Sequence, residues 1–306
     1  MVQLSNGIRN MNRDLVRAIT QEEIETFRED GVVCLRGMFD PEWCDRLRDA
    51  ADTIPGNYSG RAFLWPFYEP FRELVFDSPA GEIAATLMGS ETLGIMIDIC
   101  FIKDPHSTSL TPWHHDQPYY QMQGKQVCGM WIGLDKCDAS NGAVEWIKGS
   151  HKWDRMFEPD PFDGTGHFES VHDGRERILD IDADRDNYDI VMFETEPGDC
   201  IVDYATILHA AGDNTTDTPR RAITYALFGD DARFLEIPPS RGVEDTRELG
   251  LKTGDRFPPD HELAPRIWPK RPRETWPSPK EWAYTEGAEG DFVAVQPDAV
   301  DRLGSS

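Results

Sequence analysis

The sequence predicts a mostly β protein, an antiparallel sandwich or jelly roll with flanking helices. Two observations predict this class. From about Thr92 onward, short apolar and β-branched segments alternate with turns of Gly, Pro, Asn and Asp, and most have no crossover helix between them. Capped helical patterns are confined to about residues 18–90, which indicates that the helices lie beside the sheets and not between their strands.

The helical N-terminal part begins with a well-marked helix. Thr20 takes the N-cap position, Glu23 takes the matching capping-box position, and Gly31 marks the stop. The β-branched sequence VVCLRGMF that follows predicts a strand. A second helix opens with Asp40 as N-cap and Pro41 at its first position, and the sequence SPAGEIAATLMG predicts a third helix.

Six segments of the jelly-roll core, which we place at about residues 92–232, have the composition of strands. In chain order they read LGIMIDICFIK, QVCGMWIGLD, AVEWIKGSH, DIVMFETE, CIVDYATILHA and RAITYALFGD. Asn141 and Gly142 are typical of a tight turn between two of them. Because turns separate most of these segments, neighbouring strands are expected to run antiparallel.

Two further segments are assigned to the same single domain, which we expect to span residues 1–306. Residues 153–189 are acidic and irregular, and a loop of this length in a compact domain is typical of a partly disordered segment or of a lid, which we expect to close over a site. Residues 233–306 are rich in Pro and Trp, and we expect them to wrap the domain as a C-terminal extension.

Composition and charge argue against several classes of partner. The net charge of −25 repels phosphate backbones and anionic lipids, so nucleic-acid and membrane partners are not expected. The sequence has neither an apolar run that spans a bilayer nor a secretory signal, which predicts a cytoplasmic protein. The six cysteines form no CxxC pair, which favours buried thiols over disulfides. Monomer and homo-oligomer both stay open.

The sequence TPWHHDQPYY holds the first candidate site. In a strand, His114 and Asp116 point to the same face and can reach one ion, while His115 points away. A lone His-x-Asp pair is more often a solvated turn than a metal site. His209, which ends a predicted strand after a PGD turn, is the candidate third ligand. Two histidines and one carboxylate form the facial triad of non-haem Fe(II), although zinc also binds such a set.

The open positions on such an iron need a co-substrate. A 2-oxo acid chelates through its keto oxygen and carboxylate, and a diacid then needs a buried cation for its far carboxylate. Arg220 follows His209 after a turn-rich connection, and we expect it to start the antiparallel partner strand beside His209. Adjacent Arg221 competes for this role, and a surface arginine that opens a strand is the alternative.

In chain order, TPWHHDQPYY, WIGLDKCDASNGAVEWIKGSH and PGDCIVDYATILHAAGDN followed by two arginines resemble the phytanoyl-CoA dioxygenase family of Fe(II)/2-oxoglutarate oxygenases. The opening ITQEEIETFREDGVVCLRGMFDPEWCDRLR is similar too, so the resemblance covers about residues 18–230. It implies a double-stranded β-helix, a cupin-like jelly roll. It also implies His114, Asp116 and His209 as iron ligands, with Arg220 as the residue that binds 2-oxoglutarate.

Two positions depart from the family pattern. The family often has Gln between the His and the Asp, where this chain has His115, and Ser two residues after the distal His, where it has Ala211. Each difference removes a polar contact near the co-substrate. Some relatives replace the Asp of the motif with a small residue and bind halide there. Because Asp116 is intact, the resemblance disfavours halogenation.

Four more residues are candidates for contacts with the co-substrate or the substrate. Trp131 occupies a position that lines the co-substrate pocket in the family, and the alternative is a core tryptophan. Lys103 ends a strand where relatives often carry Lys, and it either meets a carboxylate or is an exposed strand-end lysine. Thr111 and Gln117 flank the ligands and can donate hydrogen bonds.

Aromatic residues and a further histidine complete the candidates. The sequence RAFLWPFYEPF, with Tyr119 and Tyr120, either lines a substrate entrance for an apolar or cationic ligand or packs in the core. His151 is expected to be structural, because the triad is complete without it.

The resemblance predicts an oxidoreductase that uses Fe(II), 2-oxoglutarate and O₂. It would hydroxylate an aliphatic carbon of a small organic substrate and release succinate and CO₂. Two alternatives stay open: desaturation, cyclisation or epimerisation at the same site, and a cupin-like metal-binding protein or sensor without turnover. The sequence does not name the substrate, since relatives act on acyl-CoAs, amino-acid derivatives, phosphonates and natural-product scaffolds.

Overall fold

The computed structural model describes residues 11–54, 60–159, 175–237, 249–279, 284–286 and 292–294, with the backbone alone at 60–61, 284–286 and 292–294. The described helices are α1 (Gln21–Asp30), α2 (Pro41–Ala51), α3 (Glu69–Asp77) and α4 (Ala80–Met88). None of the helices in these ranges is both long enough and apolar enough to cross a bilayer.

The first helices begin and end where the sequence predicts. Thr20 caps α1 through a capping box, in which its hydroxyl accepts from the Glu23 amide at 3.1 Å and the Glu23 carboxylate accepts from the Thr20 amide at 2.8 Å. Gly31 ends α1 with a left-handed φ of 88°, which glycine adopts at little cost. Asp40 precedes α2 at the predicted N-cap position, but its side chain makes no capping hydrogen bond.

Helix α3 is an element that the sequence analysis does not predict. Pro70 lies in its first turn, and Phe71 and Leu74 are buried on its inner side. Upstream of it, Phe63 and Trp65 are 7% and 1% exposed and belong to the main core. The aromatic sequence around α3 therefore packs in the core, as one of its two alternatives predicts.

The strands form two main antiparallel sheets. In chain order the strands are β1 (Val32–Leu35), β2 (Gly60–Ala62), β3 (Leu93–Lys103), β4 (Thr111–His114), β5 (Met122–Gln123), β6 (Val127–Gly133), β7 (Val144–Ile147), β8 (Ile190–Met192), β9 (Cys200–Tyr204), β10 (His209–Ala211), β11 (Arg220–Phe228), β12 (Arg233–Phe234), β13 (Arg266–Trp268), β14 (Tyr284–Glu286) and β15 (Phe292–Ala294). The larger sheet has the order β1-β9-β6-β11-β3-β13, with β2 also beside β3. The smaller sheet has the order β4-β10-β7-β8.

The predicted strand CIVDYATILHA is two strands in different sheets. β9 ends at Tyr204 in the larger sheet, and β10 begins at His209 in the smaller one. A backbone hydrogen bond from the Ile207 amide to the Tyr204 carbonyl, 2.9 Å long, closes the turn that carries the chain across. The prediction that His209 ends a strand is therefore wrong, because His209 begins one.

Alternation along β6 separates two packing environments. Cys128, Met130 and Ile132 belong to the main cluster, which also contains the helices. Trp131 belongs instead to a smaller cluster that contains residues of both sheets, including Trp146 of β7. The two sheets therefore pack face to face, with the helices outside the larger one. This arrangement confirms the predicted antiparallel jelly roll with flanking helices.

The described ends of the acidic segment pack on the outer face of the smaller sheet. Phe157 and Ile181, each 1% exposed, form a third cluster with Trp113 of β4. His114, the next residue along β4, points to the opposite face of the strand. Residues 160–174 of the segment lie outside the described residues, and closure of a lid over the site stays a prediction.

The C-terminal part of the chain adds a strand and an aromatic contact to this core. β13 pairs with the first residues of β3 at the edge of the larger sheet. Trp276 is 6% exposed and stacks on Phe76 of α3, with ring centroids 5.0 Å apart. The division of residues 1–306 into one domain with three parts stays a prediction.

Candidate metal centre

Three side chains converge where β4 and β10 pair. His114 and His209 are opposite each other in these antiparallel strands, with ring centroids 4.1 Å apart. Their Nε2 atoms lie 3.4 and 3.6 Å from Oδ1 of Asp116. One ligand atom from each residue lies within 4.8 Å of the others. The structure thus brings together the three residues that the sequence analysis selects.

Asp116 reaches this point through a turn and not through a strand. β4 ends at His114, and Asp116 has helical backbone angles, with φ −75° and ψ −31°, just before a one-turn 3₁₀ helix at Gln117–Tyr119. Pro118 in that helix lacks the amide that a continuing strand would use for pairing. The prediction that His114 and Asp116 share a strand face is therefore wrong, although their side chains do meet.

Each histidine of the site is anchored by its second ring nitrogen. Nδ1 of His114 lies 2.8 Å from the carbonyl oxygen of Pro112, and Nδ1 of His209 lies 3.2 Å from that of Ile207. A carbonyl oxygen can only accept, so we assign the ring proton to Nδ1 in both residues. Each Nε2 atom then carries the ring lone pair and lies on the side of Asp116, as in metal-binding histidines.

The charges of the site suit a cation. Burial, and then the neighbouring His114, lowers the pKa of His209 to about 4, so the His209 imidazole is neutral at pH 7. Burial alone would raise the pKa of Asp116, but His209, His114 and the Tyr120 hydroxyl hold it well below its usual range. Asp116 is therefore a carboxylate throughout the physiological range.

The donor set fits a non-haem iron ion. Two imidazole nitrogens and one carboxylate oxygen on one side of an ion leave its other positions open, as in Fe(II) oxygenases. Zinc accepts the same donors but usually keeps a single open position. Within the described part of the chain, this is the one group of His, Cys, Asp or Glu side chains close enough together to share an ion.

Tyr120 supports one of these ligands. Its hydroxyl donates to Oδ2 of Asp116 at 2.7 Å, and its side chain is 7% exposed within the main core. Burial and the Asp116 charge raise the pKa of Tyr120 well above its ordinary value, so the hydroxyl keeps its proton. The sequence analysis considers Tyr120 only as entrance lining or core, and it misses this contact.

A second carboxyl group, that of Asp203 on β9, lies beside Asp116. Trp146 donates its indole N–H to Asp203 Oδ2 at 2.7 Å, which joins the two sheets. Oδ1 lies 2.3 Å from the position that a Cβ at Gly129 would take, so only glycine leaves it room. Burial, followed by the Asp116 charge, raises the pKa of Asp203 to about 7. The sequence signal for this residue is a charge inside the otherwise apolar strand CIVDY.

Two buried cations lie side by side in the larger sheet. Arg220 of β11 is opposite Lys103 of β3, and they are 2% and 6% exposed. Arg220 Nη2 donates to the Gly142 carbonyl at 2.8 Å, and Lys103 Nζ donates to the Ser109 carbonyl at 2.7 Å. Burial, and then the Arg220 charge, lowers the pKa of Lys103 to about 8. Neither cation forms an ion pair with a carboxylate of the described residues.

The predicted pairing of the Arg220 strand with the His209 strand is wrong. β11 pairs with β3 and β6 in the larger sheet, whereas β10 pairs with β4 and β7 in the smaller one. The connection between them crosses the sandwich. Asn214 fixes this connection by donating to the carbonyls of Lys103 at 3.0 Å and Thr218 at 2.8 Å.

Arg221 does not compete for a buried anion. Its guanidinium pairs with Asp135 at 3.0 Å and with Asp52 at 3.1 Å. Because neighbouring residues of a strand point to opposite faces, its charge is neutralised on the other side of β11 from Arg220.

Comparison with known proteins settles the family. The sequence model described as Phytanoyl-CoA dioxygenase (PhyH) matches residues 27–222, well over half of the chain. The chain belongs to the phytanoyl-CoA dioxygenase family. This membership confirms the resemblance carried by the motifs. It also confirms the predicted enzyme class, a dioxygenase dependent on non-haem iron and 2-oxoglutarate, for which the described residues provide a fitting donor set.

Individual relatives are distant but extensive. Dioxygenase lolE1 of Epichloe uncinata is 25% identical over 267 residues, which cover 75% of this chain and 95% of that protein. The α-ketoglutarate-dependent carbocyclase SnoK from nogalamycin biosynthesis has a TM-score of 0.65 at 21% identity, covering 84% of this chain and 99% of SnoK. The epimerase SnoN, in complex with Fe³⁺, α-ketoglutarate and nogalamycin RO, has a TM-score of 0.63 at 18% identity, covering 80% and 97%. At these identities, the two structures confirm the cupin-like fold.

The remaining site candidates of this phytanoyl-CoA dioxygenase family member have varied surroundings. Trp131 is 8% exposed and packs between the sheets. Thr111 opens β4 opposite Ala211. The side-chain amide of Gln117 donates to the Met122 carbonyl, so it stabilises the turn that follows Asp116. Contacts of Trp131, Thr111 and Lys103 with a co-substrate stay predictions.

Two further histidines, His115 and His151, have structural partners. His115 is 2% exposed, its Nε2 accepts from the Phe157 amide at 3.0 Å, and it points away from the ligands as predicted. His151 stacks on Tyr204 with ring centroids 5.0 Å apart, and its Nε2 lies 3.2 Å from the Arg28 carbonyl oxygen. These contacts join α1 to the sheets and confirm that His151 is structural.

Proposed function

We propose that His114, Asp116 and His209 hold Fe(II) in a dioxygenase that uses 2-oxoglutarate and O₂ to oxidise a small organic molecule. The observation that carries this proposal is the approach of the three ligand atoms to within 4.8 Å of one another. The anchored Nδ1 atoms support it, because they direct both Nε2 lone pairs to the same point.

Arg220, with Lys103 beside it, is proposed to bind the far carboxylate of 2-oxoglutarate. Two adjacent cations that are 2% and 6% exposed are costly to bury without a counter-charge. A bound carboxylate would supply that charge and accept from the N–H groups of Arg220 that protein carbonyls leave free. Trp131 and Thr111 are proposed to line the space between these cations and the triad.

Fe(II) held by His114, Asp116 and His209 would supply the oxidising chemistry, with O₂ as oxidant and 2-oxoglutarate as the co-substrate converted to succinate and CO₂. The residues of the chain bind and orient the reactants. The triad fixes the ion, and Arg220 fixes the far end of the co-substrate. The apolar cluster around Trp131 and Trp146 keeps water out of the space between the sheets. Hydroxylation of an aliphatic carbon is the proposed outcome.

Cyclisation or epimerisation is the second candidate, because the similar solved structures include a carbocyclase and an epimerase. The same triad and the same Arg220 would serve either outcome, and the pose of the substrate would decide between them. A cupin-like protein that binds metal without turnover is a weaker candidate, since it has no need for two buried cations.

Succinate formation under O₂ with Fe(II), across a panel of small organic substrates, tests the proposal. We expect His114→Ala to lose turnover because it removes a metal ligand, and Arg220→Ala to lose it through weaker 2-oxoglutarate binding. His106→Ala is the control, because His106 is exposed and pairs with Asp217. Undiminished turnover in either site variant would contradict the proposal.

Mass analysis of the product separates the outcomes. A gain of one oxygen atom supports hydroxylation. A loss of two hydrogens supports desaturation or cyclisation, and a product of unchanged mass with inverted chirality supports epimerisation.

We further propose a cytoplasmic protein whose partner is a small molecule and not nucleic acid or a membrane. The net charge of −25 supports the proposal on partners, because it repels polyanions and anionic lipid surfaces.

A further inference from the structure

The two oxygens of the Asp116 carboxylate have different surroundings. Oδ1 faces the Nε2 atoms of His114 and His209 at 3.4 and 3.6 Å. Oδ2 accepts the Tyr120 hydroxyl at 2.7 Å. A hydrogen bond to a carboxylate is among the stronger kinds, so rotation of the Asp116 carboxylate would lose a strongly stabilising hydrogen bond.

The fold fixes the Tyr120 hydroxyl independently of any ion. The Tyr120 side chain is 7% exposed and belongs to the main core cluster. The backbone amide of Tyr120 donates to the Gln117 carbonyl at 3.2 Å, and the backbone amide of Gln117 donates to the Ala205 carbonyl at 2.8 Å. The hydroxyl is therefore placed by the packed core and by the turn after Asp116.

A second carboxyl group crowds the same side of Asp116. A Cβ at Gly129 would stand 2.3 Å from Oδ1 of Asp203 and 3.8 Å from Oδ2 of Asp116, so both oxygens border this one small space. Two carboxylates that border the same buried space repel each other. If Oδ2 lost the hydrogen bond from Tyr120, it would still lie near Asp203. Rotation of the Asp116 carboxylate toward the metal ion would then give Oδ2 a new partner and reduce the repulsion from Asp203.

We propose that Tyr120 is a positioning residue that holds Asp116 as a one-oxygen ligand and so preserves an open position on the metal. This inference rests on the proposed function. A facial triad leaves three positions open. A chelating 2-oxo acid fills two of them and O₂ needs the third. A carboxylate bound through both oxygens would take one of these positions away.

Water-proton relaxation of the Mn²⁺-loaded protein tests this inference, because it counts the exchangeable waters on the ion. Wild type should show about three waters. Tyr120→Phe keeps the buried ring and removes the hydroxyl, so we expect one water fewer. We also expect the Kd of the Mn²⁺-loaded variant for 2-oxoglutarate to rise about 10-fold, which is the size of effect that follows the loss of a residue hydrogen-bonded to a metal ligand.

Tyr188→Phe is the matched control, because Tyr188 packs against Trp153 near the outer face of the smaller sheet and should leave both values unchanged. The same water count in Tyr120→Phe and wild type would overturn the inference. So would a loss of Mn²⁺ binding as complete as in His114→Ala. If His114→Ala itself bound Mn²⁺ like wild type, the proposed function would fail, and the two failures are therefore distinguishable.

Discussion

At the scale of single residues, the site combines anchored histidine and carboxylate side chains with cations that no described carboxylate neutralises. His114 and His209 are held by backbone carbonyls, and Asp116 is held by a buried phenol. Arg220 and Lys103 have the opposite character, because the fold buries both charges and gives them carbonyl oxygens in place of carboxylates. Such a pair is costly in the free protein and is relieved when an anion binds.

Lys103→Met tests this cost through its pH dependence. The folded pKa of Lys103 is about 8 against 10.5 for a free lysine, so between these values the unfolded chain holds one proton more. The stability of wild type should therefore rise with pH across this window relative to Lys103→Met, by at most about 1.4 kcal/mol per pH unit. Urea unfolding of both proteins from pH 7 to pH 10.5 measures the difference.

Subtracting the two profiles cancels the groups that both proteins share. Profiles that stay parallel across this range would show that Lys103 is not a strained buried cation. A second readout is the Kd for 2-oxoglutarate with Mn²⁺, which should rise in Lys103→Met if this lysine meets the far carboxylate.

The sequence predicts the triad but not the residues that support it. His114, Asp116 and His209 are recognisable from residue type and order alone. Tyr120 is only four residues from Asp116, but an aromatic residue in this turn is equally compatible with core packing, so the sequence does not show its hydrogen bond. Asp203 is marked only as a charge inside an apolar strand, because its place beside Asp116 depends on strand pairing and on the room that Gly129 leaves.

At the scale of elements, the smaller sheet has a different function on each face. Its inner face holds His114 and His209, whereas its outer face is covered by the described ends of the acidic segment. Trp113 Nε1 donates to Asp182 Oδ1 at 3.0 Å, which ties this cover to β4 next to the ligand. The described ends of the acidic segment therefore stabilise β4 through its outer face.

Ile181→Ala tests whether this cover is structural. Ile181 is 1% exposed, and truncation of a buried isoleucine typically costs about 2–5 kcal/mol of unfolding free energy. We expect a loss in this range by urea unfolding, with Mn²⁺ and 2-oxoglutarate affinities unchanged. Val16→Ala is the control, because Val16 is 49% exposed. A change in 2-oxoglutarate affinity without a loss of stability would favour a lid instead.

Element types are more predictable from this sequence than element boundaries. The capping signals around Thr20, Gly31 and Pro41 are local, and the helices that they predict are present. The break between Tyr204 and His209 is not local, since the apolar run continues while the chain changes sheets. Helix α3 is missed because its aromatic residues are compatible with a pocket lining as well as with a core. The sequence alone does not show the residues that they pack against.

At the scale of the whole molecule, the charge distribution sets the response to salt. The sequence has 56 acidic and 31 basic residues, so like-charge repulsion outweighs the attraction in surface ion pairs. Repulsion between exposed charges is screened over ~30 Å at 0.01 M salt and over ~3 Å at 1 M.

We therefore expect the melting temperature to rise between about 0.01 M and about 1 M salt, where the screening length shortens most. Differential scanning fluorimetry in NaCl and in KCl measures it, and equal shifts exclude binding of one particular cation. A melting temperature that stays constant or falls would mean that ion pairs, and not repulsion, dominate the electrostatics of the fold.

The most direct test of the central claim is thermal stabilisation by Mn²⁺ and 2-oxoglutarate, with each variant measured against its own metal-free baseline. Wild type should gain stability from Mn²⁺ and gain further from 2-oxoglutarate. His114→Ala should lose both increments, and Arg220→Ala should keep the first and lose the second. Arg221→Ala should behave like wild type, because Arg221 pairs with Asp135 and Asp52. A full Mn²⁺ increment in His114→Ala, or a full 2-oxoglutarate increment in Arg220→Ala, would contradict the account.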